Sequence, residues 1–149
     1  MIKIINENII MKEIENEDYY NGYMDLMYEF TNYTHNLSYD DFVLYLNKMN
    51  INTKIIVIYS KNEHKIIGSG TIFKINKLHN NPIGQIEDVI INNKFRGFGY
   101  GKLIINELIN FGLNDFKCYK IILNCLDKNI QFYEKCNFQV AGVEMKLIK

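Results

Sequence analysis

Three alternate glycines, Gly97, Gly99 and Gly101, follow an apolar run (Val89, Ile90, Ile91). They lead into a segment that Lys102 opens with apolar residues at helical spacing. Strand, glycine loop and helix start, in that order, form the layout of a phosphate cradle. Alternate glycines let backbone N–H groups turn toward an anion, and the helix N-terminus adds the positive end of its dipole. A dinucleotide-binding fold would need Gly-x-Gly-x-x-Gly beside the first strand and an acid about twenty residues later. Here the glycines lie in the second half of the chain, spaced Gly97-x-Gly99-x-Gly101.

Periodicity supplies the neighbours of this loop. Met1–Ile14 reads as a first strand with its lead-out. From Asp18, a candidate N-cap, to about Thr31, apolar residues recur at helical spacing: Tyr19, Tyr23, Leu26, Met27, Phe30. Ser38 with Asp41 three residues on, ahead of Phe42, Leu44, Tyr45, Leu46 and Met49, predicts a second helix with a near capping box. The β-branched run Thr53–Tyr59 and the segment Lys65–Ile75 predict a hairpin through Lys61–His64. Lys77–Gly84 is a loop with the only proline, Pro82, and Gln85–Asn92 the strand ahead of the glycines.

A helix over Gly101 to about Phe111, a strand over Tyr119–Cys125, a short helix over Lys128–Lys135 and a last strand over Val140–Ile148 complete the chain. The order β-α-α-β-β-β-α-β-α-β predicts one α/β domain, residues 1–149, with a sheet of mixed direction and helices on both faces.

Bulk properties narrow the function. Seventeen basic and seventeen acidic residues leave a formal net charge of zero, which argues against binding nucleic acid by phosphate neutralisation. Met1–Glu7 is too short and interrupted for a signal peptide, and no uncharged apolar run reaches membrane-spanning length. Cys118, Cys125 and Cys136 suit neither a disulfide framework nor a zinc site. A cytoplasmic protein without a metal is expected.

A second motif lies downstream: Asn129-Ile130-Gln131-Phe132-Tyr133-Glu134-Lys135-Cys136-Asn137-Phe138. Together with Arg96-x-x-Gly99-x-Gly101, it resembles the GNAT acetyltransferases, clearest from Gln85 to Met145. Ile86-Glu87-Asp88-Val89, Cys118–Leu123 and Ala141–Met145 resemble the amino-sugar-phosphate branch of that family. The resemblance implies a GNAT acyl-CoA N-acyltransferase fold, with a mixed, mostly antiparallel central sheet flanked by helices. It also implies acetyl transfer from acetyl-CoA to the amine of D-glucosamine 6-phosphate, feeding UDP-N-acetylglucosamine synthesis, in a homodimer whose sugar site lies near the subunit interface.

The resemblance also distributes roles over the residues. Val89, Ile90 and Ile91 would hold the pantetheine arm through their backbone, and their side chains suit a core strand as well. Gly97, Gly99, Gly101 and Lys102 would take the pyrophosphate, with Arg96 on phosphate or bracing the loop. Phe98 and Tyr100 are bulky for such a loop, so their backbone alone would serve, and Asn129 joins the coenzyme side. Tyr133 would protonate the leaving thiolate. Glu87, Asp88, Tyr119 and Lys120 would hold the sugar phosphate, with weaker carry-over to His79 and Thr31.

Three positions depart from the family pattern. Asn124 stands where relatives carry an acid that orients the amine, and it hydrogen-bonds without a charge. Ile148 stands where relatives can carry a basic phosphate contact, with Lys146 and Lys149 nearby. Asn137 replaces glycine at a helix end, and asparagine tolerates the left-handed conformation needed there. Two other functions stay open: acetylation of another amine (a peptide N-terminus or a polyamine), and a non-catalytic acyl-CoA-binding module.

Overall fold

The computed structural model describes residues 1–32, 37–49 and 51–148. Asn6 starts the fold by turning the chain. Its side-chain oxygen accepts from the backbone N–H groups of Asn8 and Ile9, both at 2.9 Å, an Asx turn that competes with continued strand. The expected single first strand is therefore two, β1 (Ile2–Ile4) and β2 (Ile9–Glu13), paired antiparallel.

Asp18 does not cap a helix. It is wholly buried in a 3-10 turn, Asn16–Tyr19. Its carboxylate accepts from the Glu15 N–H at 2.9 Å and Asn21 Nδ2 at 3.0 Å, and it pairs with Lys12 at 3.0 Å. Burial alone would lower the Lys12 pKa, but Glu15 and Asp18 outweigh it and raise it. A buried charge needs such partners, which is why Asp18 faces inward. Helix α1 (Tyr23–Thr31) starts after Gly22, whose φ is 81°. Helix α2 (Tyr39–Met49) has the expected cap: Ser38 Oγ accepts from the Asp41 N–H at 3.1 Å and donates to its carboxylate at 2.8 Å.

The sheet continues with β3 (Thr53–Ser60), β4 (Lys65–Ile75), β5 (Ile83–Ile91) and β6 (Lys120–Leu123). The strands lie in sequence order, antiparallel except for the parallel pair β5–β6. Helix α3 (Tyr100–Asn110) runs into a π-helical turn, Phe111–Asp115, and α4 (Ile130–Glu134) follows β6. Strand β3 shows why both faces are covered. Ile56 and Ile58 pack with Ile104, Ile105 and Leu108 of α3, whereas Ile55 and Val57 pack with Tyr23, Leu26 and Phe42 of α1 and α2. Alternate residues of a strand point to opposite faces, so a continuous apolar run is buried on both.

A bulge interrupts the β4–β5 ladder. Thr71 pairs with Glu87, but Ser69 pairs with Ile90, so β5 carries one extra residue. Asp88 absorbs it at φ 52°, a conformation asparagine and aspartate tolerate better than most residues. Gly70 lies inside the same interval. A Cβ there would sit 2.6 Å from Ile104 Cγ2 and 3.0 Å from Leu108 Cδ1, so α3 crosses β4 where only glycine leaves room.

The expected last strand is not formed. Among the described residues, 139–148 carry no regular structure, with Val143 and Met145 both 92% exposed and Leu147 fully so. An apolar pattern marks a face to be covered but does not by itself form a ladder, and the outer edge of β6 stays unpaired among the described residues. The tail and β6 instead line a cavity of about 450 Å³.

Candidate active site

Strand β5 runs further than its neighbour. Its ladder with β6 ends at Ile86↔Leu123, and Glu87–Ile91 continue beyond it. Two strands that part in this way leave backbone N–H and C=O groups available to an extended ligand. Ile90 is buried on the α1–α2 face, while Val89 and Ile91 pack on the α3 face. Ile90 is core and Val89 and Ile91 are half-buried against the other face, so β5 offers a ligand chiefly its backbone here.

The chain then makes a 3-10 turn, Asn93–Phe95, and enters the glycine loop. Gly97 and Gly99 take φ values of 84° and 83°, with nothing within 4 Å of an added Cβ. Gly99 is the N-cap of α3, so the loop delivers the chain directly to a helix N-terminus. That geometry favours an anion. Arg96 braces the loop, its Nε donating to the Ile91 carbonyl at 3.0 Å. Phe98 is 69% exposed and stacks with Tyr100 at 6.1 Å, and Lys102 is exposed on the first turn of α3.

The downstream motif packs against this helix start. Asn129 ends a 3-10 turn, Asp127–Asn129, that leads into α4. Phe132 lies over Gly101, and its ring meets Tyr133 edge-on at 4.9 Å. Burial, with Cys125 and Cys136 nearby, pushes the Tyr133 hydroxyl up to about 12. Asn137 turns at φ 67°, and the N–H groups of Cys136 and Phe138 both return to the Tyr133 carbonyl, at 2.9 and 3.1 Å. Asparagine thus does the work expected of a glycine at that helix end.

Most of the remaining candidates fall into two groups. Tyr133, Lys120 and Asn124 line the 450 Å³ cavity with Cys125 and Glu134. Lys120 Nζ lies 5.4 Å from the centre of the Tyr119 ring, a cation–π contact that holds the ammonium beside the exposed tyrosine. Glu87 and Asp88 stand at the bulge where β5 leaves β6. Glu87 accepts from Gln85 Nε2 at 2.5 Å. Partial burial, with Glu87 alongside, raises the Asp88 carboxyl above its ordinary value. His79 is exposed in the loop after β4, and Thr31 ends α1 with its hydroxyl donating to the Met27 carbonyl at 2.9 Å. Neither lines the cavity. Lys146 is exposed on the tail, and Lys149 lies outside the described residues.

One participant is invisible to motif reading. Glu29 of α1 accepts from Asn92 Nδ2 at 2.7 Å and from the Asn93 N–H at 3.2 Å. The pairing spans more than sixty positions of chain, and an acid on a helix face carries no sequence signal for it.

A sheet parted beside a glycine loop, with a tyrosine-bearing helix packed on the loop's helix, defines an acyl-CoA-dependent transferase fold. The sequence profile of the acetyltransferase (GNAT) family matches residues 9–138, and the chain belongs to that family. It is 32% identical, over 99% of its own length and 95% of the relative's, to glucosamine 6-phosphate N-acetyltransferase 1 of Dictyostelium discoideum. It is 43% identical to the glucosamine 6-phosphate N-acetyltransferase of Schizosaccharomyces pombe, over 62% of this chain and 84% of that one. In three dimensions it resembles the crystal structure of glucosamine-6-phosphate N-acetyltransferase from Arabidopsis thaliana, with a TM-score of 0.89, 27% identity and coverage of 95% and 99%.

Proposed function

We propose that the protein transfers the acetyl group of acetyl-CoA to the amine of D-glucosamine 6-phosphate, giving N-acetyl-D-glucosamine 6-phosphate for UDP-N-acetylglucosamine synthesis. One arrangement carries this proposal: the carboxylates Glu87 and Asp88 and the groove-forming backbone of Val89–Ile91 are consecutive on β5, beside the parting from β6. Amine and thioester are thereby served by one rigid element, the condition under which positioning contributes most to rate. The full-length likeness to the Dictyostelium enzyme supports the choice of amine.

In this mechanism the glycine loop, from Arg96 to Lys102, and Asn129 hold the coenzyme's phosphates and flank. Glu87, Asp88, Tyr119 and Lys120 hold the sugar, with His79 and Thr31 at its margin and the Lys120 ammonium on its phosphate. Asn124 orients the neutral amine by hydrogen bonding. A β5 backbone N–H steadies the thioester oxygen as the amine nitrogen adds to the carbonyl carbon. The C–S bond then breaks, Tyr133 gives its proton to the departing thiolate, and the extra proton the nitrogen sheds to solvent is matched by one that Tyr133 regains from solvent.

A homodimer belongs to the same proposal, supported by the uncovered apolar residues Val140, Val143, Met145, Leu147 and Ile148 of the tail and by β6 lying at the edge of the sheet. So does a cytoplasmic setting. Among the described residues no helix is long and apolar enough to cross a membrane.

Release of free thiol from saturating acetyl-CoA is the test. Release with glucosamine 6-phosphate and none with glucosamine is expected, and release only with peptide or polyamine acceptors overturns the choice of substrate. The second reading, a non-catalytic acyl-CoA-binding module, draws on the uncharged Asn124. Coenzyme binding with no thiol release for any amine would establish it.

A further inference from the structure

We infer that Glu29 is a positioning residue for the coenzyme loop, its carboxylate on α1 fixing the turn from which the glycines depart. This rests on the proposal that the loop binds acetyl-CoA.

The loop has little packing of its own. Gly97 and Gly99 stand in open space, and Phe98 between them is exposed. Its position is therefore set at its two ends. The far end is α3, anchored in the core by Ile104, Ile105 and Leu108. The near end is the short segment 91–96, where Ile91 and Phe95 pack on the core and, among the described residues, Glu29 of α1 adds side-chain hydrogen bonds to Asn92 and Asn93. The carboxylate spans two donors, Asn92 Nδ2 and the Asn93 N–H. Asn92 is itself a junction. Its side-chain oxygen caps the turn by accepting from the Lys94 N–H at 3.1 Å, and its own N–H donates to Ile67 of β4 at 2.8 Å. Orienting the Asn92 amide thus orients the whole turn, including Arg96, whose guanidinium reaches back to Ile91.

The charge of Glu29 makes its placement informative. An acid close to an anion-binding loop opposes the ligand, so a surface carboxylate without a task would be unfavourable here. None of the ion pairs among the described residues includes Glu29; its two accepted bonds go to the turn. Bonds accepted by an ionised carboxylate are the stronger kind. Their effect falls on how often the loop holds its anion-ready shape, and hence on apparent coenzyme affinity.

The test uses the full-length protein, acetyl-CoA titration calorimetry and steady-state kinetics. Glu29→Ala is expected to weaken acetyl-CoA binding and raise its KM about tenfold, the scale of one lost charge-assisted hydrogen bond. The amino-sugar KM and kcat at saturating coenzyme should stay within twofold. Glu29→Gln keeps one acceptor oxygen and should fall between the two. Adding Asn92→Ala to Glu29→Ala should cost less than the two separate effects combined. Lys54→Ala, which breaks the distant pair with Glu13, controls for general destabilisation and should leave the coenzyme KM unchanged. Unchanged coenzyme affinity in Glu29→Ala, or an equal rise in Lys54→Ala, overturns the inference while the function stands. A wild-type protein that binds no acetyl-CoA overturns both.

Discussion

A Cβ placed on Gly101 would lie 3.1 Å from Cζ of Phe132. The first turn of α3 and the helix that carries Tyr133 therefore meet at a position that only glycine fills without displacement. This contact joins the two motifs, which lie some thirty residues apart in the chain.

Gly101→Ala should separate stability from turnover. The methyl group favours the helix by up to about 1 kcal/mol, while Phe132 must move by a few tenths of an ångström. The two effects oppose each other, so the melting temperature should change little. The rate should fall several-fold, because Phe132 holds Tyr133 through their ring contact. Melting curves and thiol-release kinetics measure both, and an unchanged kcat would show that the contact does not govern Tyr133.

Tyr133→Phe removes the proposed acid and should lower kcat by about 100-fold, the scale of general acid catalysis. Burial first, then Cys125 and Cys136, push the parent hydroxyl up to about 12. It therefore keeps its proton through neutral and mildly alkaline pH, and the parent should show no decline from Tyr133 below about pH 10. Rates of parent and variant that coincide across the pH range would refute the assignment.

Asp88→Asn should act on the amino sugar rather than on the coenzyme. Partial burial and Glu87 raise the Asp88 carboxyl, so its ionised, sugar-binding form is lost at a higher pH than usual as acid is added. In the parent, kcat/KM for the sugar should fall on acidification at a pH above the ordinary aspartate value of about 3.9. In the variant that limb should vanish and the sugar KM rise about tenfold. Asparagine keeps the backbone at φ 52° without new strain. The stability effect has the opposite sign. A raised carboxyl favours the folded state when protonated, and that contribution fades as pH climbs through the folded value. A sugar KM unchanged by the substitution would remove Asp88 from the site.

Gly70→Ala drives a methyl group into Ile104 and Leu108 of α3. Overpacking of this kind costs about 1–3 kcal/mol. Urea unfolding with an unchanged midpoint would show that α3 can shift away from β4.

Much of this protein follows from local chemistry. The strands β3, β4 and β5, the helix after the glycines, the Ser38 cap and the left-handed turn at Asn137 all arise from residues within a few positions of one another. Periodicity and turn chemistry report such features directly. The glycine and tyrosine motifs are legible for the same reason, because each depends on short-range spacing.

Tertiary structure decided the rest, since partners far apart in sequence carry no joint pattern. Asp18 looked like a cap and became the buried partner of Lys12, because a charge inside the fold must find its opposite. Glu29 carries no signal in the sequence, yet its carboxylate accepts from Asn92 Nδ2 across more than sixty positions. Val140–Ile148 had the alternation of a strand, yet alternation specifies only a face that wants covering, and no edge within the described chain receives it. The sequence by itself determined the central strands, the helix after the glycines and the short-range turns, but neither the split of the first strand nor the fate of the last. Packing determined which strand parts from which, where β5 bulges at Asp88, and how Gly101 brings Phe132, and with it Tyr133, to the loop.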